Sequence, residues 1–234
     1  MLRDARLLSA RMLSENVREL TFDPGEGFGF VAGQWVNLRI PQPSPAEPLV
    51  RAYSIASPPR ADGTYDIAVT RVSSGAMSNH LHALEPGAVL SQSHAQGFFT
   101  LGEPVRPLLF VATGTGISPI RSMLLSLRAS PPDVPVTLVF GNRTEVDVLY
   151  GDDFEALARD WPRFSFVPTL SRPSASWSGR RGYVQAHLAE ATKALGGDCD
   201  AYVCGLNKMV ADVRKLLRGE LGLERGRVHT ERYD

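Results

Sequence analysis

Residues 108–119 indicate the architecture of the second half of the chain: Leu108-Leu109-Phe110-Val111-Ala112-Thr113-Gly114-Thr115-Gly116-Ile117-Ser118-Pro119. The apolar run is typical of a β-strand covered on both faces, as in a parallel sheet. The two glycines allow the backbone to approach a bulky ligand, and Ser118 and Pro119 suit a helix start, with Ser118 as its cap. The stretch therefore predicts a strand, a glycine-rich turn and a helix whose N-terminus can bind phosphate.

This turn differs from the usual dinucleotide fingerprint. Pro119 occupies the place of the third glycine, and Gly141-Asn142-Arg143 follows the next strand without the acid that would hold a ribose. The same turn is also compatible with a plain tight connection. The sequence thus indicates a nucleotide site, but not one of the standard dehydrogenase type.

Downstream of this stretch, strand and helix patterns alternate to the end of the chain. Such alternation predicts a doubly wound parallel sheet with right-handed crossovers. The predicted strands are 108–112, 136–140, 164–170, 201–204 and 227–231, and the predicted helices are 119–128, 153–159, 184–195 and 208–217.

The first hundred residues have a different pattern, in which short strands are separated by turn residues. This spacing favours an antiparallel barrel or sandwich. The predicted strands are 31–40, 52–56, 65–72 and 88–91, with a proline-rich loop at 41–48 and one helix at 76–84. The change of pattern near residues 103–106 predicts two domains, 1–103 and 107–234.

Composition excludes several functional classes. Basic and acidic residues balance at 25 each, so no net field favours nucleic acid or a membrane surface. No apolar run approaches the ~20 residues of a membrane helix, and residues 1–6 lack the apolar core of a signal peptide. Two cysteines, Cys199 and Cys204, are too few for a disulfide framework or a zinc site, so we expect two reduced thiols in a cytoplasmic protein without a metal.

Three motifs occur in order along the chain: Arg51-Ala52-Tyr53-Ser54, the Gly114–Pro119 turn, and Tyr202-Val203-Cys204-Gly205. Together they resemble the ferredoxin–NADP reductase superfamily over essentially the whole chain. The resemblance implies a two-domain fold, with an N-terminal antiparallel Greek-key β-barrel that binds FAD and a C-terminal α/β doubly wound parallel sheet that binds NAD(P).

The resemblance also implies which barrel residues contact FAD. Arg51 would pair with the pyrophosphate, Tyr53 would lie against the isoalloxazine ring, and Ser54 would lie near flavin N5. Taken alone, Tyr53 is also compatible with barrel packing, and Arg51 with a solvated charge. A bordering strand and a turn at a helix start would supply the remaining contacts: Ile67, Val69, Arg71, Gly75, Met77 and Ser78.

In the second domain the resemblance implies a pyrophosphate loop, a nicotinamide pocket and a C-terminal gate. The loop residues would be Thr113, Gly114, Thr115, Gly116 and Pro119, and the pocket floor would be Cys204 and Gly205. The ending resembles the plant-type ending, so Tyr233 would stack on the flavin face that the nicotinamide must occupy, with Glu231 beside the reacting atoms. Asp234 extends one residue beyond that pattern.

The choice between NADP and NAD depends on one basic cluster. Ser171, Arg172, Arg181 and Tyr183 match positions that contact the 2′-phosphate in NADP-using relatives. The segment 177–182 also resembles NADH-using relatives, in which the basic residues belong to a solvated loop. We favour NADP(H), because a ribose phosphate needs cationic partners, and keep NAD(H) as the alternative.

The resemblance predicts an enzyme that exchanges electrons between NADP(H) and a one-electron carrier by hydride transfer to flavin N5. Two cysteines cannot hold an iron–sulfur cluster, so we expect a separate partner: ferredoxin, flavodoxin or an oxygenase component. The alternatives are an NAD(P)H:free-flavin reductase, the reductase component of an oxygenase, and a flavin-binding subunit that works only in a complex.

Overall fold

The chain forms two compact units, each with its own sheet, in a computed structural model that describes residues 2–41 and 47–233. The first unit comprises Met1–Thr100 with Arg121–Ser126, and the second comprises Leu101–Ile120 with Leu127–Asp234. Most of the loop predicted at 41–48 and the terminal Asp234 lie outside the described residues.

The first unit is a six-stranded antiparallel barrel, as predicted. In the sheet order β4-β3-β6-β1-β2-β5, β6 lies between β3 and β1, and both of these strands are distant from it in sequence, as in a Greek key. A bridge between Ile55 and Ile67 brings the two edges of the sheet together. The elements are β1 (Arg3–Ser14), β2 (Val17–Asp23), β3 (Trp35–Ile40), β4 (Leu49–Ser54), β5 (Tyr65–Thr70), α1 (Ala76–Ala83) and β6 (Val89–Gln92).

Sequence patterns indicated no strand before residue 31, yet β1 and β2 form the longest hairpin of the barrel. Only Ala5 and Leu7 of β1 are buried, and a register shift between Leu7 and Ser9 interrupts the alternation. The bulge therefore hides the period of two on which a strand prediction depends. The strand predicted from residue 31 begins at Trp35, because residues 31–34 form a turn closed by Gln34 N donating to Val31 O.

The second unit is a six-stranded parallel sheet with helices, which confirms the predicted doubly wound fold. Its strand order is β10-β9-β8-β7-β11-β12. Strands are added outward from β7 in one direction and then from β11 in the other, so the topological switch point lies between β7 and β11. In open α/β sheets ligands bind at the carboxyl ends of the strands at this point.

The strands and α-helices of this unit agree with the predicted order, and the additional strand β10 is only two residues long. The helix predicted from 184 begins as a 3₁₀ turn, Val184–His187. The elements are β7 (Leu108–Thr113), α2 (Ile117–Ala129, of which Arg121–Ser126 group with the first unit), β8 (Val136–Asn142), α3 (Gly151–Asp160), β9 (Phe164–Leu170), β10 (Arg180–Arg181), α4 (Leu188–Ala194), β11 (Asp200–Leu206), α5 (Asn207–Lys215) and β12 (Val228–Tyr233). Within the described ranges no helix has the length and apolar character to cross a membrane.

Candidate active site

Strand β4 presents a cation and an aromatic ring two residues apart. Arg51 is exposed, whereas Tyr53 is half-buried and packs against the barrel core. Burial raises the pKa of Tyr53 to about 12, and the opposing effect of Arg51 indicates that its charge lies close to the phenol. Ser54 is buried at the end of the strand. The strand thus offers a neutral planar ring beside a cation, as a flavin and its pyrophosphate would need.

The turn before α1 is folded by side chains onto its own backbone. Ser78 Oγ accepts from Val72 N at 3.1 Å and donates to Gly75 O at 3.1 Å. A Cβ on Gly75 would lie 2.6 Å from Ser78 Oγ, so the turn needs glycine there. The helix begins at Ala76, which leaves its first amides without intrahelical acceptors and able to bind an anion.

Asn79 organises the same turn, and the sequence reasoning missed it. Its Nδ2 donates to Val72 O and Gly75 O at 3.0 Å each, and its Oδ1 accepts from Arg71 Nε at 3.0 Å. An amide four residues into a helix after a glycine turn was the available signal. Because α1 packs against β4 and β5, the turn and the Arg51 strand belong to one surface of the barrel.

Three predicted FAD residues direct their side chains into the barrel core. Ile67, Val69 and Met77 are all buried there. Only backbone groups of these residues remain for contact with a cofactor, and β5 is an edge strand of its sheet. Their assignment therefore stays a prediction about main-chain contacts.

In the second unit, the glycine-rich loop meets the end of β11 at the topological switch point. A Cβ on Gly116 would lie 2.5 Å from Cys204 O, and one on Gly205, at φ +150°, would lie 2.3 Å from Thr113 Oγ1. The Gly116 backbone therefore packs against the backbone of β11, and Gly205 packs against the Thr113 side chain. Gly114 adopts φ +52°, a left-handed conformation that favours glycine.

Buried polar atoms line the same edge of the sheet. Ser118 is 2% exposed, and its Oγ has no hydrogen-bond partner among residues 2–41 and 47–233; the same holds for Thr113 Oγ1 and for both side-chain polar atoms of Asn142. The sequence suggested Ser118 as the cap of α2, but the helix begins at Ile117, two residues before the predicted start, and has Gly116 as its N-cap. Unsatisfied polar atoms around a helix N-terminus fit a dinucleotide that would supply their partners.

Cys204, Glu231 and Tyr233 come together at the ends of β11 and β12. Cys204 pairs with Glu231 in the parallel register, and the Tyr233 side chain lies close enough to the thiol to affect its pKa. Burial and then Glu231 raise the pKa of the Cys204 thiol well above its usual value, against the effect of Tyr233. The thiol is therefore protonated at neutral pH and lies beside a carboxylate.

The predicted 2′-phosphate residues lie beyond β8 and β9. Ser171 N donates to Asn142 O at 3.0 Å and Arg172 N to Arg143 O at 2.8 Å, so the two strand ends are tied together. Arg172 is exposed and Tyr183 is 74% exposed. Arg181 donates to Trp177 O at 2.7 Å, which leaves part of its guanidinium for a ligand.

Raising the pH from about 9 to about 11 should destabilise the protein, because the unfolded chain releases the Tyr53 proton over this range while the folded chain retains it. Burial also raises the pKa of Tyr65, which adds to the loss. Urea unfolding at the two pH values measures this change. Tyr53→Phe should make stability depend less on pH, whereas Tyr183→Phe, which removes an exposed phenol, should not.

Comparison with known proteins agrees with this geometry. A model of the oxidoreductase FAD-binding domain matches residues 4–100, and one of the oxidoreductase NAD-binding domain matches residues 110–215. A ferredoxin–NADP reductase B of Sorangium cellulosum is 51% identical over 99% of this chain and 97% of its own length.

A more distant sequence relative and a solved structure are also similar to this chain. The xylene/toluene monooxygenase electron transfer component of Pseudomonas putida is 32% identical over 98% of this chain, which spans 65% of that relative. A solved ferredoxin NADP+ reductase of Neisseria gonorrhoeae with bound FAD and NADP has a TM-score of 0.84 at 23% identity, covering 99% of this chain and 98% of its own. At that identity the structural match supports the fold alone.

Proposed function

The chain belongs to the ferredoxin–NADP reductase family, and from that membership we propose that it exchanges electrons between NADP(H) and a separate one-electron carrier through bound FAD. The 51% identity to a ferredoxin–NADP reductase, over nearly the full length of both chains, carries the proposal. Ferredoxin is accordingly the first partner to test, and flavodoxin is the second. The two buried, free thiols support a reducing, cytoplasmic location.

The barrel residues fit FAD. Arg51 and the first amides of α1 would hold the pyrophosphate, and Tyr53 would support the ring as a neutral phenol. Ser54, at the end of the same strand, would lie near the redox-active edge. When bound, FAD supplies the conversion between two-electron nicotinamide chemistry and one-electron transfer.

Residues at the switch point would bind and orient the dinucleotide. The loop from Thr113 to Gly116 would hold its pyrophosphate, with Pro119 in the first helical turn. Cys204 and Gly205 would form the floor under the nicotinamide, and Glu231 would stand beside it. Tyr233 lies next to Cys204 at the strand ends, and its ring would have to move before a nicotinamide could lie there.

A second candidate function is the reductase component of an oxygenase. The similarity to the Pseudomonas putida monooxygenase component favours it, and such a role would be compatible with NADH. Purified protein with tightly bound FAD supports either function, whereas a colourless protein that reduces added flavin would support a free-flavin reductase. Reduction of ferredoxin at rates well above those with an oxygenase component would support the first proposal.

Replacing Arg172 and Arg181 with alanine should weaken NADPH binding by about tenfold or more, because each charge-assisted hydrogen bond to phosphate contributes about 1.5–3 kcal/mol. NADH binding should change by no more than about twofold, since NADH lacks that phosphate. Titration of flavin absorbance with each nucleotide measures both. Arg180→Ala is the matched control, because Arg180 is paired with Glu190. An equal loss for both nucleotides would contradict the NADP assignment.

A further inference from the structure

The segment between β9 and β10, residues 171–179, is closed by hydrogen bonds at its base. Arg181 donates to Trp177 O at 2.7 Å and to Ser174 O at 3.2 Å, and Trp177 Nε1 donates to Arg180 O at 2.8 Å. A Cβ on Gly179 would lie 2.4 Å from the Trp177 ring. The position of the Arg181 guanidinium therefore depends on the shape of this loop.

Glu145, which lies 29 residues before Ser174 and outside this loop, holds the loop by hydrogen bonds. Its Oε1 accepts from Ser174 N at 2.9 Å and from Ser174 Oγ at 2.6 Å. Glu145 begins a 3₁₀ turn after β8 that is itself fixed, because Asp147 Oδ2 accepts from Thr144 N at 3.0 Å and from Thr144 Oγ1 at 2.7 Å. A rigid turn thus holds a carboxylate against the loop.

This carboxylate is ionised at neutral pH. The bonds from Ser174 lower the pKa of Glu145, and the nearby charge of Arg181 lowers it further. Glu145 and Arg181 both bond Ser174, so a full negative charge stands next to a cation assigned to the 2′-phosphate. A like charge there opposes the binding of a dianionic phosphate.

We propose that Glu145 is a selectivity residue with two effects: it positions the Ser174–Arg181 loop, and it acts as a counter-charge that limits affinity for the 2′-phosphate of NADP. The inference rests on the proposed NADP(H) function and deepens it. An NADP site without such a counter-charge would bind nucleotide more tightly and release it more slowly. Faster release of the nucleotide favours a high turnover rate.

Glu145→Gln separates these effects, because its amide oxygen can still accept from Ser174 but carries no charge. The variant should bind 2′,5′-ADP about threefold more tightly than the wild type, with 5′-AMP unchanged. Glu145→Ala removes the acceptor as well, so it should bind 2′,5′-ADP less tightly than Glu145→Gln. Calorimetric titration of the FAD-loaded protein with each nucleotide measures this directly, without turnover.

Salt dependence and a matched variant distinguish a local effect of the Glu145 charge from a general effect of net charge. The gain in Glu145→Gln should shrink at about 0.5 M salt, where exposed charges are screened over a few ångströms. Asp133→Asn makes the same change of net charge at a distant position. Asp133 lies in the loop before the start of β8, at the other end of that strand from Glu145, and pairs with Arg163. This variant should leave both affinities unchanged.

The wild-type protein separates failure of this inference from failure of the proposed function. If the wild type prefers 2′,5′-ADP over 5′-AMP and Glu145→Gln binds it no more tightly, the inference is wrong and the NADP assignment stands. If neither protein shows the preference, both are wrong. If only Glu145→Gln shows it, the inference holds and the native protein is an NADH enzyme.

Discussion

Gly116→Ala should weaken binding of both NADPH and NADH by about tenfold to a hundredfold, because forcing a Cβ into close-packed atoms costs about 1–3 kcal/mol. The new Cβ would lie 2.5 Å from Cys204 O and 2.7 Å from the Gly205 Cα. Both atoms are backbone, so neither can move without displacing the loop or the end of β11. Nucleotide titration of flavin absorbance checks the prediction, and FAD content should stay near that of the wild type.

Gly114→Ala is the control within the same loop. Gly114 has φ +52°, and no described atom lies within 4 Å of where its Cβ would be. Alanine there meets only the left-handed backbone cost of about 1 kcal/mol, which is less than a tenfold effect. If the nucleotide affinity of Gly116→Ala is within threefold of that of the wild type, close packing of the loop against β11 does not determine nucleotide binding.

Asp66→Ala should lower the free energy of unfolding by about 3 kcal/mol or more, as expected when one partner of a buried ion pair is removed. Asp66 is 4% exposed and lies on β5. Its Oδ1 accepts from Arg60 at 3.0 Å and from Thr21 Oγ1 at 2.9 Å, and its Oδ2 accepts from Arg60 at 2.5 Å. Arg121 lies 3.9 Å from Oδ2, so the substitution would leave cations without their carboxylate. Urea unfolding measures the loss.

The same substitution should also weaken FAD binding. Arg121 donates to Ala56 O at 2.9 Å and Ser122 Oγ donates to Ser57 O at 2.5 Å, so this network holds the residues that follow Tyr53 and Ser54. Asp66→Asn keeps two acceptor lone pairs and should lie between the wild type and Asp66→Ala. Asp133→Ala, whose partner Arg163 is also exposed, should cost less than about 1 kcal/mol. An equal loss of unfolding free energy in Asp66→Ala and Asp133→Ala would contradict the structural role of the network.

Local sequence patterns were sufficient for most elements of the second unit. The run Leu108–Ala112 and its glycine turn predicted β7, the loop and α2, because buried parallel strands are apolar on both faces and the turn needs residues without Cβ. The same reasoning missed β1, since a bulge and an exposed face remove the alternation that a pattern can detect.

The two-part fold was predictable from the sequence alone, because it follows from local periodicity, whereas the motifs and their order were recognised through their resemblance to a known family. The meeting of Gly116 with Gly205 at the switch point and the bonds from Ser174 to Glu145 became visible only in the folded structure. These contacts depend on strand order and on side chains many residues apart. No pattern along the chain encodes such distances, because strand pairing decides which residues become neighbours.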